Sequence, residues 1–353
     1  MVSVHMLVVH ESVLWALLDR VVGTVRTVRL FEALDTHASL LRPRLAGTGV
    51  SRAELAQALN MLLFEDVTRR VPMASAYVGD AVRRGQKLVF DHGALRTVAA
   101  DCGALPAGFA SFRRILEPLG FAIQGIYPLE QIGMTGRAFA HIDAPEHIAQ
   151  FFVSELHVER FSATFQEAVS RVVGRSVDPL TERAAAMLAE LSERGALSFD
   201  DAASLLPNLV GCFDRQHAEP SWGDYETLLA ESKEMAWIAT EGNAFNHATD
   251  RVADVFAVAD QQRCLGRPIK ERVEVSSSGR VRQTAFQAAM VARLFVGDDG
   301  ALRTESVPGS FYEFISRDEE QPGILDLRFD SSNATGIFKM TSNSAGRIGS
   351  IDS

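Results

Sequence analysis

The chain has 353 residues, of which 47% are hydrophobic and 23% charged, ordinary proportions for a globular protein with a large core. Its net charge is −10, and no long Lys/Arg run offers a nucleic-acid-binding face. Three scattered cysteines, Cys102, Cys212 and Cys264, form no CxxC pair, which fits a reducing, cytoplasmic setting better than a disulfide framework.

The N-terminal stretch MVSVHMLVVHESVLWALLDRVVG lacks a basic leader and is broken by Glu11 and Asp19. It reads as an amphipathic helix rather than a signal peptide. No apolar run reaches the roughly 18 to 20 residues of a membrane span. Helical character continues to about residue 85. Ser51-Arg52-Ala53-Glu54 is a capping box, and Leu55, Leu59, Leu62 and Leu63 then trace one face. A strand is expected at about 86–98, and Pro106 is placed to start a helix ending near Gly120. Short strands follow at 121–127, 137–143 and 151–156.

A helical block is expected over 162–240. Asp178-Pro179 suits the N-cap and N1 positions of the helix that Gly195 closes, and Ser198 suits the next N-cap. EPSWGDY (219–225) reads as a loop. From about 243 a strand (NAFNHATDRV), a helix (ADVFAVADQQRCL) and several strands follow, among them VRQTAFQAAMVARLFV and SFYEFISR. A βαβββ order of this kind builds a curved mixed sheet around a site. The pattern divides the chain into a helical segment (1–85), a β-sheet domain (86–345) with a helical insertion at about 162–240, and a loose tail (346–353). No tandem repeat is apparent.

Three side chains break the strand pattern. His92 lies at even spacing from Arg96, so both share a face of one strand. His247 sits in alternation with Phe245 and Thr249, and Glu313 with Phe311 and Ile315. Two histidines and a carboxylate are the facial donor set of non-haem Fe(II) sites. A strand histidine is more often a hydrogen-bonded core residue, and Glu313 suits either a metal ligand or an outward position on an edge strand. His141-Ile142-Asp143 offers a competing HxD pair, ended at once by Pro145. No GxSxG, GxGxxG or GxxxxGK[ST] motif is present. Ser277-Ser278-Gly279 reads as a hairpin turn. Beyond it Arg282 and Gln283 alternate in side, so at most one points inward.

The stretches FDHGALRTV, MTGRAFAHIDAPEHIAQFFVSEL, AWIATEGNAFNHATDRV, VSSSGRVRQTAF, VPGSFYEFISR and SSNATGIF together resemble the 2-oxoadipate dioxygenase/decarboxylase family, over about residues 10 to 345. SFYEFISR also resembles the ligand-bearing strand of 4-hydroxyphenylpyruvate dioxygenase. The resemblance implies an α+β fold: a vicinal-oxygen-chelate-like curved sheet or half-barrel around a metal, decorated by helices. It implies Fe(II) on His92, His247 and Glu313, and a distal substrate carboxylate on Arg96. Arg282, Gln283, Ser332 and Asn333 would add substrate contacts. The implied reaction takes a 2-oxo acid and O2, as 2-oxoadipate to 2-hydroxyglutarate and CO2, without nucleic acid or membrane partners. Arg96 stands roughly 13 Å along the strand from His92, and its reach back leaves room for a short dicarboxylate. Two other readings stay open here: a Lewis-acid enzyme holding Zn or Ni on the same fold, and a non-catalytic binding protein.

Overall fold

The computed structural model describes residues 9–329, so Ser332 and Asn333 lie outside the described residues. Helices α1 (Val13–Val22), α2 (Thr24–Ala33), α3 (Arg52–Arg70) and α4 (Pro72–Arg83) precede the sheet. The capping box at Ser51 forms as expected. The Ser51 hydroxyl accepts from Glu54 N–H, and the Glu54 carboxylate accepts from Ser51 N–H at 2.8 Å. No helix among the described residues is long and apolar enough to cross a membrane.

A βαβββ unit follows: β1 (Phe90–Val98), α5 (Ala110–Leu116), β2 (Phe121–Leu129), β3 (Met134–His141) and β4 (Gln150–Leu156). Pro106 does not start α5, which begins at Ala110. The intervening turn is tied back to the strand, Gly108 N–H donating to Val98 O at 2.8 Å. Five helices come next: α6 (Ala163–Val173), α7 (Glu182–Arg194), α8 (Phe199–Gly211), α9 (Trp222–Glu231) and α10 (Lys233–Glu241). The N-cap of α7 is Thr181 rather than Asp178, whose carboxylate is engaged by Arg114. Residues 222–225, expected in a loop, open α9 because the Ser221 hydroxyl accepts from Asp224 N–H.

A second unit repeats the order: β5 (His247–Arg251), α11 (Val255–Cys264), β6 (Glu274–Val275), β7 (Val281–Ala285) and β8 (Phe311–Arg317). The run 281–296, expected as one strand, is broken after Ala285. Its second half pairs instead with Leu302–Pro308 in a separate hairpin. The polar, exposed 302–308 strand carries no apolar alternation to announce it.

Both units share one eight-stranded sheet, in the order β2-β3-β4-β1-β5-β8-β7-β6. Within each half the first strand is central and the fourth is its parallel neighbour. The halves meet where β1 and β5 run antiparallel. The arrangement is a pseudo-two-fold of two βαβββ units, curled into a half-barrel. A sequence trace of the duplication exists after all. Phe90-Asp91-His92 with Arg96 and Phe245-Asn246-His247 with Arg251 match at the same spacing.

One face of the sheet packs Leu95, Phe139, Phe151, Val153, Ala248, Tyr312 and Phe314 with the leucines of α3. The other carries Ala94, Val98, Ala138, Phe152 and Leu156 and is roofed by Trp237 of α10. Phe245 belongs to the first face, against Gly93, because β5 starts only at His247. His92 and His247 belong to the second. A bulge in β1 makes this possible: Phe90 pairs with Asp250 and His92 with Thr249, leaving Asp91 without an opposite number. Phe90 and His92 are two residues apart yet face opposite sides.

Candidate metal centre

The three central strands bring His92, His247 and Glu313 together. His92 of β1 and Glu313 of β8 are both cross-strand neighbours of Thr249 on β5, and His247 lies two residues earlier on that strand. One ligand atom from each residue lies within 4.8 Å of the others. The imidazoles stand nearly perpendicular, centroids 5.6 Å apart. Glu313 is fully buried, and His92 and His247 are 3% and 6% exposed. Glu313 is not on an edge, since β8 runs between β5 and β7.

The hydrogen bonds assign the free ring nitrogens. Nδ1 of His92 is 2.8 Å from Asp91 Oδ1, and Nδ1 of His247 is 3.2 Å from Asn246 Oδ1. Both partners are acceptors, so both rings carry their proton on Nδ1 and present an Nε2 lone pair to the cluster. Thr249 Oγ1 lies 3.1 Å from His92 Nε2 and can donate to it. His247 Nε2 faces Glu313 Oε2 at 3.3 Å, yet neither Glu313 oxygen has a hydrogen-bond donor among the described residues. When Glu313 is ionised, its carboxylate and the facing lone pair repel unless a cation lies between them. The residues therefore fit a divalent metal.

The electrostatics agree. Burial pushes the Glu313 carboxyl up to about 8, against the pull of Lys270. Burial lowers His92, outweighing its Asp91 hydrogen bond, and holds His247 far below its usual value, helped by His92 and Arg96. Neutral imidazoles are what a metal requires. Apolar walls close in: Phe311 stacks on His247 at 4.6 Å, and Phe329 meets His92 edge-on at 4.8 Å.

Arg96 lies further along β1 on the same face as His92, buried, with its guanidinium over Trp237. Gln283 is buried and, through its pairing with Ile315, shares the face of Glu313; its amide reaches Glu274 at 3.4 Å. Arg282 points the other way and is ion-paired with Asp318. The HxD pair stands apart from the cluster. His141 Nδ1 accepts from Asp143 N–H at 3.2 Å, and Asp143 is held by Arg52 at 2.7 Å. Sequence reasoning missed Asp91, Asn246, Thr249, Trp237 and Lys270. The paired Phe-Asx-His tripeptides were the available signal for the first two.

A family model described as 2-oxoadipate dioxygenase/decarboxylase matches residues 55–320. A glyoxalase-superfamily protein of known structure from Ralstonia eutropha JMP134 shares 56% identity at a TM-score of 0.86, over 90% of this chain and 98% of that one. The hydroxyglutarate synthase of Oryza sativa, crystallised with 2-oxoadipate, shares 20% identity at a TM-score of 0.63, over 85% and 97% of the two chains. That of Pseudomonas putida, also with 2-oxoadipate, shares 19% at 0.60, over 84% and 74%. At such identity the two synthases share the fold. No curated protein matches the chain.

Proposed function

The chain belongs to the 2-oxoadipate dioxygenase/decarboxylase family, and from that premise we propose that it is an Fe(II)-dependent dioxygenase acting on a dicarboxylic 2-oxo acid. With 2-oxoadipate the products would be 2-hydroxyglutarate and CO2. Both atoms of O2 would end in the hydroxy acid, one in the carboxylate formed from the keto carbon and one in the new hydroxyl, while CO2 leaves with the two oxygens of the original carboxylate. The observation that carries the reading is Glu313, fully buried with no donor to its oxygens among the described residues and clustered with a ring nitrogen of each histidine.

A ferrous ion on His92, His247 and Glu313 would chelate the 2-oxo acid and supply the electrons that activate O2. The chain's own residues do the rest. Asp91 and Asn246 hold the Nδ1 protons and aim both rings. Arg96 binds the distal carboxylate and sets the length of the acid that fits. Phe152, Phe311, Phe329 and Trp237 exclude water from the inner face. Gln283 orients the substrate from the β7 side, while Arg282, turned outward to Asp318, takes no part.

The test is anaerobic loading of the purified protein with Fe(II), addition of 2-oxoadipate, then admission of air. Stoichiometric O2 uptake and CO2 release, both lost in His247→Ala, are expected. Tight metal binding without uptake would overturn the substrate. No metal binding would overturn the centre.

A further inference from the structure

The two histidines occupy equivalent places in the duplicated units, each preceded by the residue that accepts from its own Nδ1. The repeats differ at that position. Behind His92 stands a carboxylate, Asp91; behind His247 stands an amide, Asn246.

Asp91 is locked in place. Arg317, whose side chain is fully buried, donates to both its oxygens, Nε to Oδ2 at 2.9 Å and Nη2 to Oδ1 at 2.8 Å. Arg251, the repeat partner of Arg96, adds an Nε 3.4 Å from Oδ2. Arg317 cannot easily swing away, because its Nη1 also donates to the carbonyls of Asp326 and Arg328 at 2.9 Å. Asn246 has no such brace: its Nδ2 has no hydrogen-bond partner among the described residues.

A carboxylate accepting the Nδ1 proton draws it away from the ring and strengthens Nε2 as a donor, whereas an amide mainly fixes orientation. We infer that the two ligands are unequal by construction: Asp91, locked by Arg317, is a positioning residue that makes His92 the tight metal ligand, and Asn246 leaves His247 the weaker, more exchangeable one. The inference rests on the metal-centre reading above. The duplication has thus been broken twice at matching positions. Arg96 lies on the face of the donor set under Trp237, while Arg251 is turned back to support Asp91.

The test is a titration of metal-free protein with Zn2+ against a chromophoric chelator, which reads affinity without turnover. Asp91→Asn keeps an acceptor at Nδ1 and removes the charge; a 10- to 100-fold loss of affinity is expected. Asn246→Ala is expected to lose less than about tenfold, below the range for a charged partner. Because Asp91→Asn leaves Arg317 unpaired and can misfold, a second measurement uses the wild type. In the Zn2+-loaded protein labelled with 15N-histidine, the Nδ1 proton of His92 should resonate further downfield and exchange more slowly than that of His247. Equal affinities in the two variants, or indistinguishable Nδ1 protons, would overturn the inference and leave the centre intact. No Zn2+ binding by the wild type would overturn the centre and the inference with it.

Discussion

The guanidinium of Arg96 lies 5.2 Å over the indole ring of Trp237. Arg96 extends from β1 on the face of the sheet that carries His92, and Trp237 comes down from α10 to meet it. Burial lowers the Arg96 pKa to about 10, opposed by the charge of Glu234, so the group stays cationic at neutral pH. The ring face holds the guanidinium plane. The Trp237 indole N–H has no hydrogen-bond partner among the described residues, which leaves a buried donor beside the cation.

A distal carboxylate bound here would gain both groups. Arg96→Met should raise KM for 2-oxoadipate by thirtyfold or more, since losing the charged partner of a buried pair costs about 2–5 kcal/mol. Trp237→Phe keeps the ring and removes the N–H, and should raise KM by roughly tenfold, the value of about one hydrogen bond. Turnover of 2-oxohexanoate, which lacks the distal carboxylate, should be nearly indifferent to both changes. Steady-state kinetics on the two acids checks this; equal losses on both would show that Arg96 acts on the metal end.

Glu313→Gln separates metal binding from folding, with opposite signs. The amide is nearly isosteric but uncharged, so Zn2+ affinity should fall at least about a hundredfold, as for loss of a buried ionic partner. The metal-free variant should nonetheless melt higher than the metal-free wild type, because the fully buried Glu313, with no donor among the described residues, must either stay charged or take up a proton on folding, and both are costly. Scanning calorimetry of both proteins in chelator checks the second half. A lower melting temperature in the variant would mean that Glu313 is satisfied within the protein and needs no cation.

The candidate donor set was legible because ligand-type side chains in apolar strands are conspicuous. His92, His247 and Glu313 each interrupt a hydrophobic pattern, and long ordered motifs around them resemble one family. The support behind them was not. Alternation assumes unbroken pairing, so it could not show that a bulge at Asp91 turns His92 away from Phe90. Nor does it show that Arg317, an outwardly ordinary strand-end arginine, reaches Asp91 across 226 positions of sequence. Local composition misled at 222–225, where turn-like residues are a helix start governed by Ser221. Arg282 and Gln283 were correctly expected to alternate, and the register with Ile315 settles which is inside.

Gly93 tests how tightly the ligand strand is packed. A Cβ there would stand 2.2 Å from the Phe245 ring, and that ring is buried among Phe90, Phe151 and Phe213. Gly93→Ala should destabilise the fold by about 1–3 kcal/mol, the range for overpacking a core. Because Gly93 adjoins His92, Zn2+ affinity should fall as well. Chemical denaturation of the metal-free variant measures the first effect. Unchanged stability would mean that Phe245 moves freely, contrary to its close packing.

Asp250 gives the molecule a pH dependence that is independent of any metal. It lies on the opposite face of β5 from Thr249 and is 2% exposed. Burial raises its carboxyl to about 7, against hydrogen bonds from Tyr77 Oη and Val89 N–H at 2.8 and 3.1 Å. Asp91 adds to the rise and Arg251 opposes it. An unfolded aspartate titrates near 3.9. Between about pH 4 and 7 the folded protein therefore holds a proton that the unfolded chain has lost, and stability falls as pH rises through that window. Each tenfold difference in proton affinity is worth about 1.4 kcal/mol, so the carboxylate destabilises the fold above pH 7 by an amount on the order of a few kcal/mol. Asp250→Asn stays uncharged throughout; its amide can accept from Val89 and donate to Tyr77. At pH 8 the variant should be more stable than the wild type, and the gap should close on acidification toward pH 4. Denaturation midpoints of the two proteins across pH 4 to 8 decide the matter. A gap that stays constant with pH would show that Asp250 is already ionised at the bottom of the range, with Tyr77 and Val89 fully compensating its burial.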